Sequence, residues 1–270
     1  MAKTVDGRRS RVDSNADKAD RAAEPAVLLS KQGSVAVVCL NRPSVLNAYN
    51  VAMRDALYAA LAAVRDDPEV AAMVLCGNGP AFSTGGDLTE FGTAPSPVAG
   101  REARWRRDVW GLLSSLPKPA IAAVHGYVVG GGFEMALLCD VCIAADDARF
   151  SYPETGLGMI PGVAGTQTTP RLVGSGRSLD LVLGGRWLSA REALEWGLVH
   201  RVVAPRQLPT HAMALARRLS KLPAPLVGAT KRAVRDGLDL PLNDGLRLER
   251  RLASRYSNQP VTNSSTSEIQ

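Results

Sequence analysis

The chain has 270 residues, of which 46% are hydrophobic and 21% are charged, and its formal net charge is +6. This composition predicts a soluble globular protein with a large core, because no stretch reaches the roughly 18 uninterrupted apolar residues that a membrane helix needs. The N-terminus also lacks the apolar segment of a secretion signal, so we expect a cytoplasmic location.

The apolar pattern predicts an alternation of strands and helices, followed by a mostly helical second half. In chain order the predicted elements are a strand at 34–40, a helix at 51–64, a strand at 71–76, a glycine-rich loop at 77–92, a helix at 103–116, a strand at 119–124, a glycine-led helix from 131, strands at 141–145 and 148–152, a loop at 151–165, and helices at 166–172, 178–183, 190–196, 208–222 and 224–255, the last with a break near Pro241.

Both ends of the chain are polar and predict disordered tails. The first 24 residues hold six Lys/Arg and five Asp/Glu, and the segment after Arg255 reads YSNQPVTNSSTSEIQ. We therefore predict tails at 1–24 and 256–270, a main unit at 25–200 and a helical C-terminal region at 201–255.

The central stretch at 125–140, HGYVVGGGFEMALLCD, places three glycines directly before an apolar helical pattern. The first N–H groups of a helix have no partner inside it, and glycine lets a ligand approach them closely. This pattern predicts a site made of backbone, at which an electron-rich oxygen can bind. A second donor is predicted in the loop at 77–92, where Gly85-Gly86-Asp87 can turn an N–H inward.

Glu134 is the one charged residue among the apolar residues of that buried helix. A buried carboxylate costs free energy unless another group uses it or pairs with it. Two interpretations stay open: the helix dipole alone stabilises Glu134, or Glu134 takes part in chemistry at the glycine run.

Net charge and cysteine content indicate the function less specifically than the glycine run does. A basic chain can bind nucleic acid, a membrane surface or a polyanionic small molecule, and charge alone does not choose between them. We interpret the basic clusters at 101–107 and 231–255 as solvated helix faces. Cys139 and Cys142 form a lone CxxC in apolar surroundings, which favours packing over zinc or redox chemistry.

Several motifs, in order along residues 27–255, resemble the crotonase family, the enoyl-CoA hydratase/isomerase superfamily. They are AFSTGGDL at 81–88, KPAIAAVHGYVVGGGFEMALLCD at 118–140, PETGLGMIPGVAGTQ at 153–167, LNRPSVLNAYN at 40–50 and GGRWLSAREALEWGLV at 184–199. The resemblance implies an α/β fold, a spiral of strand–strand–helix turns with a helical C-terminal region, assembled as a homotrimer or a dimer of trimers.

The resemblance also implies the site. The N–H groups of Gly86 and Gly131 would form the oxyanion hole for an acyl-CoA thioester, and Glu134 and Glu154 would be the acid/base pair of a hydratase. Further substrate-binding residues implied by position are Ala48, Ser83, Gly85, Asp87, Leu88, Tyr127, Gly130, Pro153 and Gly162. The resemblance implies no metal and no separate cofactor, since coenzyme A is part of the substrate, and no nucleic-acid or membrane partner.

Other functions stay open at this level. An isomerase of the family needs one base, at the position of Glu154, and other lyases of the family keep both glutamates. A non-catalytic acyl-CoA- or RNA-binding protein with the same fold is a more distant alternative. Two departures bear on the site: Ser44-Val45 lacks the basic residue that many relatives carry there, and the polar segment after Arg255 replaces a final apolar and basic helix. We expect a more open pocket, or a cover from 242–252.

Overall fold

The computed structural model describes residues 24–256, so the predicted tails lie outside the described residues except for Glu24 and Tyr256. The strands in these residues are β1 (Val27–Gln32), β2 (Val35–Leu40), β3 (Ala72–Gly77), β4 (Ala120–Val124), β5 (Tyr127–Val129), β6 (Val141–Ala145), β7 (Arg149–Ser151), β8 (Leu188–Ser189) and β9 (Arg201–Val203). The helices are α1 (Val51–Asp66), α2 (Pro97–Trp105), α3 (Val109–Ser115), α4 (Gly131–Leu138), α5 (Gly165–Gly184), α6 (Ala190–Glu195), α7 (Leu208–Leu219), α8 (Ala224–Leu238) and α9 (Leu242–Ser254).

The strands form two sheets. The larger sheet has the order β1-β2-β3-β4-β6-β9, in which β1 pairs antiparallel with β2 and the other neighbours are parallel. The smaller sheet has the order β5-β7-β8. The chain passes from the larger to the smaller sheet twice, from β4 to β5 and from β6 to β7, so each passage adds one turn of a spiral.

The core lies on both faces of the larger sheet. All five residues of β4 are buried, which explains why its sequence is an uninterrupted apolar run. One face packs against α1, α3 and α4, and α7 covers the other face with Leu208, Ala212 and Ala216. The predicted inward face of α1 is confirmed, since Met53, Leu57, Leu61 and Val64 are buried.

One helix prediction was wrong in its boundaries. The helix predicted at 103–116 is two helices, because Asp108 caps α3 by accepting a hydrogen bond from the N–H of Gly111 at 2.9 Å. The division between the helices predicted at 166–172 and 178–183 is confirmed, since α5 is interrupted at Gly174, whose φ of 79° and ψ of 164° are not helical.

Four strands had no counterpart in the sequence analysis, namely β1, β5, β8 and β9. Three of them span only two or three residues, so they show no measurable alternation. Strand β9 begins the region predicted as helical and pairs with β6 at the edge of the larger sheet.

The basic residues of α8 are not all solvated. Lys231 and Arg235 both reach Asp140, with N–O distances of 2.6 and 2.9 Å, and Asp140 also accepts the N–H of Ala120. Lys231 is mostly buried there, and this burial lowers the pKa of its ammonium group. The interpretation as a solvated face was therefore wrong for these two residues, which fasten α8 to the sheet.

The two cysteines of the CxxC motif are packed in the core, as predicted. Cys139 and Cys142 are both buried, and burial raises the pKa of the Cys142 thiol to about 12. Within residues 24–256, no helix combines the length and apolarity that a membrane span requires.

Candidate active site

The glycine run lies at the junction of β5 and α4. The first helical hydrogen bond runs from the N–H of Glu134 to the carbonyl of Gly130, at 3.0 Å. Gly131 comes before Glu134 in the helix, so its N–H has no partner within the helix. This N–H lies at the N-terminal end of α4. The predicted start of the helix at the glycines is confirmed.

The loop at 81–87 runs parallel to β5 and meets the start of α4. Ser83 donates its N–H to the carbonyl of Tyr127 at 3.1 Å and accepts the N–H of Val129 at 3.0 Å. Two residues later, Gly85 has a φ of +87°, and a methyl group in place of its hydrogen would lie 3.0 Å from the nitrogen of Gly131. Only glycine allows this close approach of the two backbones.

Residues on both sides of Gly86 pair with Tyr49. Tyr49 donates its N–H to the carbonyl of Gly85 at 2.8 Å and accepts the N–H of Asp87 at 3.0 Å. Because the flanking residues make both bonds, the N–H of Gly86 points away from the backbone of Tyr49. Gly85 lies against Gly131, so the two glycine-containing segments that the sequence singled out meet here. That the amides of Gly86 and Gly131 act on one oxygen stays a prediction.

Glu134 is 1% exposed and is held by the loop that begins α5. Its Oε1 accepts three backbone N–H groups, from Val163 at 3.0 Å, Ala164 at 2.8 Å and Gly165 at 2.6 Å. These bonds supply the pairing that a buried carboxylate requires. They fix the orientation of the carboxyl group without using Oε2.

Glu154 lies near Glu134, but its carboxyl group is held differently. Its Oε2 is buried and accepts no hydrogen bond from the described residues. Burial raises the pKa of Glu154 to about 7, and the nearby charge of Glu134 adds to this effect. Its Oε1 occupies the place where a side chain on Gly130 would be, and Gly130 has a positive φ of 52°. This arrangement places a carboxyl group with a raised pKa at the start of α4.

Other predicted site residues make contacts within the protein. Asp87 forms an ion pair with Arg42 at 3.0 Å, and Arg42 also donates to the carbonyl of Ala48 at 2.6 Å. The hydroxyl of Ser83 donates to the carbonyl of Asn47 at 2.8 Å and accepts the N–H of Gly85 at 3.2 Å. These side chains hold the loops in place.

The remaining predicted residues lie at the rim. The carbonyl of Pro153 accepts the N–H of Leu157, and Leu88 and Gly162 are exposed. Tyr127 is 48% exposed and packs edge-on against Trp187, with ring centroids 6.0 Å apart.

Comparison with known proteins places this arrangement in a family. Residues 30–267 match the family described as Enoyl-CoA hydratase/isomerase. The chain belongs to this family. A probable enoyl-CoA hydratase from Rhizobium meliloti (strain 1021) is 42% identical over 84% of this chain and 87% of its own length. A short-chain-enoyl-CoA hydratase from Clostridium acetobutylicum is 38% identical over 83% of this chain and 86% of its own length.

Solved structures confirm the predicted crotonase fold. The crystal structure of an enoyl-CoA hydratase from Bacillus anthracis superposes with a TM-score of 0.81 at 32% identity, covering 87% of this chain and 92% of that chain. The spiral of strand–strand–helix turns and the helical C-terminal region are therefore those of the enoyl-CoA hydratase/isomerase family.

The sequence analysis did not single out Tyr49, although its motif was noted. The phenol of Tyr49 contacts Gly131, and Phe91 contacts Gly86. The available signal was an aromatic residue directly after Asn47-Ala48, within the motif at 40–50.

Proposed function

We propose that the protein is an enoyl-CoA hydratase that adds water across the 2,3 double bond of a trans-2-enoyl-CoA. The observation that carries this proposal is the presence of two differently held glutamates near the start of α4, where the loop of Gly85 and Gly86 packs against Gly131. Family membership supports the reaction class and an acyl-CoA substrate.

The amides of Gly86 and Gly131 form the oxyanion hole in this proposal. Both donate to the thioester oxygen, which gains negative charge when the β-carbon is attacked. Donors that are already oriented stabilise such an enolate by several kcal/mol in a site that excludes water. The close contact of Gly85 with Gly131 supports this role, because it holds the two backbones together.

The two glutamates divide the proton transfers. Glu134 accepts a proton from water as the water oxygen bonds to the β-carbon, and the π electrons move onto the thioester oxygen. Glu154 then donates its proton to the α-carbon as the carbonyl re-forms. The difference in their surroundings supports these roles: Glu134 has a fixed orientation, and Glu154 has a pKa of about 7.

An absorbance assay with crotonyl-CoA tests the reaction and separates it from that of an isomerase. Glu134→Gln and Glu154→Gln should each reduce turnover by about 10²-fold or more with little change in substrate affinity, because each removes a proton transfer and leaves the coenzyme A contacts. A Glu134→Gln variant that hydrates crotonyl-CoA at the unmodified rate would exclude the hydratase mechanism. If the enzyme is mainly an isomerase, Glu154→Gln should severely reduce movement of the double bond and Glu134→Gln should reduce it only mildly, because one base moves the proton between the carbons.

Coenzyme A thioesters should bind, while the matching free acids bind poorly, because the nucleotide and pantetheine arm supply the binding energy. No other cofactor and no metal enters this mechanism, and no nucleic-acid partner is part of the proposal. Equal thermal shifts from crotonic acid and crotonyl-CoA would contradict it. The cytoplasmic location stays a prediction.

Assembly as a homotrimer or a dimer of trimers is part of this proposal. Large apolar side chains are exposed on α5 and at the α8–α9 connection, namely Leu172, Leu179, Leu183, Leu238 and Leu242. Apolar surface of this kind is typical of subunit contacts. Light scattering should give a mass of three or six chains, and a monomer mass would contradict the proposal.

A further inference from the structure

The phenol of Tyr49 lies between the two glycines of the proposed oxyanion hole. A methyl group on Gly131 would overlap the Tyr49 hydroxyl oxygen and lie 2.8 Å from ring carbons Cε1 and Cζ. A methyl group on Gly86 would lie 3.9 Å from Cε2, on the opposite edge of the same ring. The ring therefore lies against Gly131 and reaches toward Gly86, whose nearest side chain is that of Phe91.

The position of this ring is fixed by its surroundings. The backbone of Tyr49 is hydrogen-bonded to Gly85 and Asp87, as described above. Its ring packs edge-on against Trp110, with centroids 5.2 Å apart and an interplanar angle of 62°. The next residue, Asn50, begins α1 by accepting the N–H of Met53 at 2.9 Å. The backbone bonds and the helix cap therefore fix the point from which the ring projects, and Trp110 packs against the ring itself.

The Tyr49 ring would contact particular atoms of a bound acyl group. When the thioester oxygen accepts both amide hydrogens, the carbonyl carbon and the α-carbon are the acyl atoms next to the glycines. The rest of the acyl chain extends beyond them. Bulk on the α-carbon therefore meets the Tyr49 ring, whereas added length at the far end of the chain does not.

We propose that Tyr49 is a specificity-determining residue that excludes acyl groups branched at the α-carbon and leaves chain length unrestricted. This inference rests on the proposed oxyanion hole, but it can be tested without turnover. The ring carries the exclusion in this inference, because its carbon atoms lie near both glycines, whereas the hydroxyl oxygen lies against Gly131 alone. Tyr49→Phe keeps the ring and is the matched control for Tyr49→Leu, which removes it.

Isothermal titration calorimetry with saturated thioesters tests the inference on the unmodified protein. Butyryl-CoA should bind about tenfold or more tightly than 2-methylbutyryl-CoA, because a methyl group that a pocket cannot accommodate costs about that much. Hexanoyl-CoA should bind within threefold of butyryl-CoA. Equal affinities for butyryl-CoA and 2-methylbutyryl-CoA would overturn the inference without any variant.

Variants at Tyr49 test whether the ring causes the preference for unbranched acyl groups. Tyr49→Leu should reduce the preference for butyryl-CoA over 2-methylbutyryl-CoA to less than threefold, and Tyr49→Phe should retain it. A preference that Tyr49→Leu leaves unchanged, or that Tyr49→Phe abolishes, would overturn the inference. If Tyr49→Leu does not fold, Tyr49→Met serves the same purpose.

Kinetic measurements separate this inference from the proposed function. The ratio of kcat/KM for 2-methylcrotonyl-CoA to that for crotonyl-CoA should rise about tenfold in Tyr49→Leu, while the ratio for trans-2-hexenoyl-CoA stays within threefold. An equal rise for both substrates would overturn the inference in favour of a general size limit. Selective binding by a protein that hydrates no enoyl-CoA would contradict the proposed function and support the role of Tyr49.

Discussion

Replacement of Glu134 by alanine should destabilise the protein as well as inactivate it. The change removes the acceptor for the N–H groups of Val163, Ala164 and Gly165. A buried donor without a partner costs about 1–3 kcal/mol, and only Gly165 is fully buried, whereas the other two can bind water. We therefore expect a loss of about 3 kcal/mol, near the lower end of the sum for three donors.

Glu134→Gln separates the structural contribution of this side chain from the catalytic one. Its amide oxygen can still accept the three N–H groups, and the lost charge assistance is partly offset because a buried charge is removed, so the cost should be about 1 kcal/mol. At about 2–4 °C per kcal/mol, Glu134→Ala should melt about 6–12 °C below the unmodified protein, and Glu134→Gln about 2–4 °C below it. Differential scanning calorimetry at one protein concentration measures both. A Glu134→Ala protein that melts together with the unmodified one would refute the claim that Glu134 holds the loop at 163–165.

Three further outcomes are expected. Hydration needs protonated Glu154, whose pKa burial raises to about 7, so kcat/KM should fall about tenfold per pH unit as the pH rises above that value; a constant kcat/KM from pH 6 to 9 would contradict this role. Gly131→Val should reduce turnover by about 10²-fold or more, because its side chain overlaps the Tyr49 hydroxyl and crowds the thioester oxygen, and normal kinetics would contradict the proposed oxyanion hole. Asp140→Ala should cost about 2 kcal/mol, since it leaves Lys231 and Arg235 without their carboxylate, and chemical denaturation with an unchanged midpoint would show that this cluster does not fasten α8.

Local sequence patterns were sufficient to predict the elements with strong periodicity and to reveal the motifs that carry the family resemblance. The buried face of α1 follows from helical spacing, and the buried strand β4 follows from its apolar run. The start of α4 at the glycines was also predictable, because capping and backbone freedom are local properties. The sequence further indicated that the carboxylate of Glu134 required a partner, since burial of an unpaired charge is costly wherever it occurs.

The contacts between backbone and side-chain groups at the site follow from tertiary packing alone. The partners of Glu134 lie 29–31 residues further along the chain, and no local pattern links them to it. The short strands β5 and β8 escaped prediction because pairing with β7 and with neighbouring segments, rather than alternation, makes them strands. The same pairing brings the loop at 81–87 against the start of α4 and places the ring of Tyr49 between Gly86 and Gly131. Such contacts depend on the path of the whole spiral, because they join segments that are distant in sequence. The local conformational preferences of one segment carry no information about which distant segment it will contact.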